Sequence, residues 1–121
     1  MKEMQSFLML FYILDQCFDH CQENDLGSIL GAMSPEVMDG GLPMDKAVYN
    51  DWVEHTDVAL LNKESIVQEI YRFLEYYESE FEYCFEKTKE VLQDPSGSLV
   101  DMVEKAIMRT EEMYQRHSYD N

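Results

Sequence analysis

Positive charge is scarce in this sequence. Nine lysines and arginines stand against 25 aspartates and glutamates in 121 residues, a net charge of −16. A nucleic-acid-binding surface needs basic residues facing phosphate, and docking on anionic lipid needs them too. Neither nucleic acid nor membrane is therefore an expected direct partner. Cysteine is sparse and odd in number: Cys17, Cys21 and Cys84 make no disulfide framework. A reducing cytoplasm is the expected compartment. Long apolar runs are missing as well. The run Phe7 to Leu14 is 8 residues long, follows Lys2 and Glu3, and meets Asp15. It fits neither a signal peptide nor a membrane span.

The signatures of catalysis are also missing. Gly40-Gly41 lacks the lysine and hydroxyl of a phosphate loop. No serine sits in a nucleophile elbow, and Asp39-Gly40-Gly41 is followed by too few oxygen ligands for a calcium loop. A di-iron bundle wants Glu-x-x-His pairs, yet Cys17, Trp52 and Tyr114 precede His20, His55 and His117 by three. Cys17, His20 and Cys21 form C-x-x-H-C, which joined by Cys84 has the residue types of a zinc site. Both cysteines also continue an apolar stripe, where cysteine acts as a small hydrophobe. That reading is preferred, so no metal, no cofactor and no enzymatic activity is expected. Asp51 and His55, four apart, read as a local salt bridge rather than a dyad.

What is present is helical periodicity. Hydrophobic residues make up 45% of the chain, enough for one packed domain of this length. Phe7, Phe11, Leu14, Phe18 and Cys21 step by 4, 3, 4 and 3, which predicts a helix over 3–22. Leu8, Leu10 and Ile13 broaden its stripe and make it central. A short helix over 25–33 carries Gly27 and Gly31, read as points of close packing because a helical glycine costs roughly 1 kcal/mol against alanine. Residues 34–44 hold two prolines and a Gly-Gly pair and predict a loop. Asp45 is an N-cap candidate for a helix over 46–60, with Val48, Trp52, Val53 and Ala59 inward and Trp52 as a core anchor. Asn62 is a cap for the next helix. That helix is the longest expected, near 63–92, because Ile66, Ile70, Phe73, Tyr77, Phe81, Cys84, Thr88 and Val91 keep a near-heptad step. Asp94 to Gly97 breaks the chain before a last helix over about 97–116. The expected fold is all-α: about five helices in an antiparallel bundle, one domain over 1–116, and a frayed tail at 117–121.

The acid is uneven. Residues 1–60 carry Lys2 and Lys46 against 11 acidic residues, a net of −9. Asp15, Asp19 and Glu23 lie four apart and repel near a helix C-terminus, where the dipole already disfavours them. Glu78, Glu82, Glu86 and Glu90 form a second ladder, expected to face solvent opposite the core stripe. Tyr76 and Tyr83 stand off that stripe, and tyrosine beside carboxylates suits a binding face. Asp39, Asp45, Asp51, Glu54 and Asp57 surround Trp52 as a rival face. The candidate partner-binding residues are thus Asp15, Asp19, Glu23, Asp39, Asp51, Glu54, Glu78, Glu82, Tyr83 and Glu86. Their role is charge-assisted hydrogen bonding to Lys and Arg of a basic protein partner.

Size, the −16 charge, a chain read as complete from Met1, and the stretch Leu26 to Trp52 (LGSILGAMSPEVMDGGLPMDKAVYNDW) complete the picture. In these features the chain resembles the small acidic immunity proteins encoded beside bacterial toxins. The resemblance implies a tight 1:1 complex in which carboxylates and aromatics cover a basic active-site or nucleic-acid-binding surface. The expected function is an acidic protein-binding module that neutralises or regulates a basic protein. The alternatives are a self-associating helical bundle and a nucleic-acid-mimic inhibitor.

Overall fold

The computed structural model describes residues 1–34, 46–94 and 96–117. Within them the chain forms six α-helices: α1 Glu3–Cys21, α2 Asn24–Met33, α3 Lys46–His55, α4 Ile66–Phe81, α5 Glu86–Leu92 and α6 Ser98–His117, with a 3-10 turn at Val58–Leu60 before α4. No strand occurs among the described residues. The fold is all-α, as the periodicity predicts.

α1 is the central helix. Every side chain from Ser6 to Leu14 is buried, which means neighbours on all sides rather than one. It packs against α2, α3, α5, α6 and the 3-10 turn. α6 runs antiparallel to it: Gln16 donates through Nε2 to Met102 O at 2.8 Å, while Arg109 lies over the Tyr12 ring at 5.0 Å. Trp52 is wholly buried, and an indole N–H placed there needs an acceptor. It donates to Ser6 Oγ at 3.0 Å, and Ser6 Oγ in turn donates to Glu3 O at 2.8 Å. Trp52 also meets Phe73 edge to face at 5.3 Å, joining α3 to α4. The expected core anchor is in place.

Several expectations change. The helix expected near 63–92 is two helices, because α4 closes at Phe81 and Glu82 turns left-handed at φ 59°. Its start is later than expected, at Ile66 with Ser65 rather than Asn62 at the cap; Asn62 Oδ1 instead accepts from the N–H groups of Glu64 and Ser65 in the turn that leads into it. The helix over 46–60 ends at His55, and Ala59 is exposed. Gly27 is a close-packing point, since a Cβ there would lie 3.1 Å from Phe18 Cε1; at Gly31 nothing lies within 4 Å. Phe81, read as core, is half exposed. Asp39 and Asp45 lie outside the described residues, as does the tail beyond His117.

Candidate protein-binding face

Carboxylates separate into three places, and the α4–α5 junction is the first. Glu78, Glu82, Glu86 and Glu90 do not form a single helical ladder, because the helix axis breaks among them. Glu78 is only 22% exposed. It accepts from Phe85 N–H at 2.8 Å and from Lys89 Nζ at 2.6 Å. Burial pushes its carboxyl up, but the Lys89 hydrogen bond, the Phe85 N–H and the Lys89 charge together hold it below the ordinary range. Glu23 reaches from the α1–α2 turn to the start of α5. It accepts from Lys87 N–H, Thr88 N–H and Thr88 Oγ1 at 3.1, 2.9 and 2.8 Å. Asp25 accepts from Cys84 N–H at 2.7 Å. A new helix start presents unpaired N–H groups and the positive end of its dipole, and carboxylates suit both. Glu23 and Glu78 therefore hold the chain's own backbone. Glu86 and Glu90 are exposed on α5.

The second place is the groove between α1 and α6. Asp15 and Asp19 are exposed there, but Lys105, Arg109 and His20 share the groove with them and with Glu112. Acid on this side is answered by cations of α6.

The third place joins α3 to the C-terminal end of α4. Tyr77 is buried in an apolar stripe and its hydroxyl needs a partner; it donates to Asp51 Oδ2 at 2.8 Å. Burial first, then the bond to Asp51, raise that hydroxyl above its ordinary value, so it stays a donor. His55 lies on the Tyr76 ring at 4.2 Å. From there aromatic contacts continue: Tyr77 to the half-exposed Phe81 at 5.0 Å, Tyr77 stacked on Tyr83 at 5.8 Å, and Tyr83 back to the fully buried Phe85 at 5.5 Å. Glu54, Glu80 and Glu82 are exposed around this run and Asp51 is half-buried. Partial desolvation, then the charges of Asp51, Glu80 and Glu54, raise the Tyr76 hydroxyl. Among the described residues none of these four carboxylates is ion-paired to Lys or Arg.

The structure thus brings together Asp51, Glu54, Glu82 and Tyr83 of the predicted set. It places Asp15, Asp19, Glu23, Glu78 and Glu86 elsewhere. It adds His55, Tyr77, Glu80 and Phe81, which sequence reasoning missed. A tyrosine in an otherwise apolar stripe, requiring an acceptor, was the available signal for Tyr77.

Metal-type ligands meet at one point among the described residues. Asp51, Glu54 and His55 each bring one ligand atom within 4.8 Å of the others. They lie on one flank of α3, with Glu54 and His55 exposed, unlike the closed four-ligand set of structural zinc. Cys17, His20, Cys21 and Cys84 do not converge into such a group. Cys17 is buried and its thiol is pushed up to about 12 by burial and by Cys21. It is therefore an inert core group. Cys21 Sγ lies 3.6 Å from Thr88 Oγ1.

No described helix is long and apolar enough to cross a membrane. Comparison with protein-family models, with characterised proteins and with solved structures finds no match for this chain.

Proposed function

We propose that the chain is an acidic protein-binding module that neutralises or regulates a basic protein partner, a toxin-immunity protein being its most concrete form. The observation that carries this reading is one surface on which an exposed phenyl ring, a half-buried tyrosine and four carboxylates adjoin, none of the four ion-paired to Lys or Arg among the described residues. Phe81, Tyr83, Asp51, Glu54, Glu80 and Glu82 make that surface. Aromatic area supplies contact energy at low entropic cost and carboxylates supply charge-assisted bonds to Lys and Arg. The −16 charge adds steering towards a basic surface. It also opposes association of two copies of the chain, so a different, basic protein fits better than self-assembly.

The test is capture from the native host at low and then moderate salt, comparing the native chain with the triple variant Glu54→Lys, Glu80→Lys, Glu82→Lys. One stoichiometric basic protein, released as salt rises and lost with the triple variant, is expected. Equal retention by the triple variant, or recovery of the chain alone, overturns the reading.

A further inference from the structure

Between α2, α3 and the end of α4 lies a slot of about 210 Å³. Its walls are aliphatic on one side, from Ile29, Ala32 and Val48, and aromatic on the other, from Phe81 and Tyr83. Asp51 is the charged residue among those that line it. The carboxylate is held in place, because the Tyr77 hydroxyl donates to its Oδ2 at 2.8 Å. A carboxylate has about four acceptor positions, so one hydroxyl leaves capacity for a further donor. No Lys or Arg among the described residues forms an ion pair with it. His55 on the next turn lies against the Tyr76 ring with a ring nitrogen within 4.8 Å of the Asp51 carboxylate, but forms no ion pair with it.

An apolar wall, an aromatic wall and a single oriented carboxylate make a defined chemical request. The apolar wall suits a methylene stem, the rings suit a flat or diffuse cation, and the carboxylate suits an N–H donor carrying positive charge. Guanidinium meets all three better than ammonium, because it is planar, weakly hydrated and able to stack while it donates. We infer that this slot takes one arginine side chain of the basic partner, with its stem along Ile29, Ala32 and Val48 and its guanidinium against Phe81 and Tyr83, donating to Asp51. The inference rests on the reading above and narrows it. Long-range charge brings the partner in, and this slot fixes where one arginine goes.

The probe is acetyl-Gly-Arg-Gly-amide, titrated into the ¹⁵N-labelled chain and followed by amide shifts. Its control is the same peptide with citrulline, which keeps the shape and loses the charge. Saturable shifts gathered at Asp51, Tyr77, Phe81 and Tyr83 are expected, with a dissociation constant on the order of 1 mM for one side chain. Citrulline should bind at least about tenfold more weakly. Asp51→Asn keeps an acceptor for Tyr77 and should weaken arginine binding by a similar factor. Ala47→Arg provides a second, independent block. It alters an exposed residue four before Asp51, so its own guanidinium competes for the slot. Equal binding of the citrulline peptide, indifference to both variants, or shifts centred elsewhere would overturn the inference. If the triple lysine variant still loses the partner while the arginine peptide shows no slot binding, the slot falls and the wider function stands. If the peptide binds the slot and no basic partner exists, the slot stands and the function falls.

Discussion

Glu23 and Glu54 are the same residue type in the same chain, and they do opposite things. Glu23 accepts three hydrogen bonds from Lys87 and Thr88, and Asp25 and Glu78 join it in closing the α4–α5 junction. Glu54, Glu80 and Glu82 are exposed, and among the described residues no Lys or Arg forms an ion pair with them. The difference lies in what each carboxylate meets. A helix start offers N–H groups that must find acceptors, and a junction so closed consumes acid as structure. A helix flank beside exposed rings has no such donors, so its acid stays available to a partner. Counting carboxylates on a surface therefore overstates a binding face.

The comparison breaks most easily at Glu23. Glu23→Ala removes an acceptor from two backbone N–H groups and one hydroxyl, and should cost about 2–3 kcal/mol of stability. Urea unfolding checks this, and a change below about 0.5 kcal/mol would remove the structural assignment. Gln at the same position should recover part of the loss, since its carbonyl oxygen still accepts.

A smaller effect is expected at the Glu78–Lys89 pair. A double-mutant cycle with Glu78→Gln and Lys89→Met should return a coupling of about 1 kcal/mol. Its pH dependence has a fixed sign. The Glu78 carboxyl is lower in the folded chain than in the unfolded one. Its stabilisation is complete above the unfolded carboxylate value and is lost as pH falls through the folded value. Lys89 is raised, chiefly by its hydrogen bond to Glu78. Its stabilisation is complete below the unfolded lysine value and is lost as pH rises through the folded one. Glu78→Gln should flatten part of the acid limb of the stability profile. An unchanged acid limb would show that the pair contributes nothing.

The smallest stability effect belongs to the exposed face, and it sharpens the contrast. The triple variant Glu54→Lys, Glu80→Lys, Glu82→Lys should shift unfolding by no more than about 0.5 kcal/mol per site, measured on the same urea series. A loss comparable to that of Glu23→Ala would place this face among the structural carboxylates.

Much of the fold was legible. The i, i+3, i+4 spacing located α1, α2 and α6 within a few residues and the start of α3 but not its end, and the breadth of apolar positions around Leu8, Leu10 and Ile13 marked α1 as central. Less of the binding face was. Asp51, Glu54, Glu82 and Tyr83 stood among the candidates, but so did Glu23 and Glu78. Periodicity shows which way a side chain points on its own helix; it does not show which donor waits on another. The 82–85 break was hidden for the same reason. Glu-Tyr-Cys-Phe contains no glycine or proline, and the apolar spacing carries across it.

Composition and spacing alone determined that this protein is acidic and all-α, with a core on α1 and Trp52 as an anchor. Those properties follow from local chemistry: apolar residues recurring at the helical period must be buried together, and Trp52 is too large to be left in water at no cost. Tertiary structure alone decided where α4 ends and which acids are spent. Glu23 and Asp25 approach Cys84, Lys87 and Thr88 from about 60 residues away in sequence. They supply acceptors for N–H groups at the second helix start, just after the left-handed turn at Glu82.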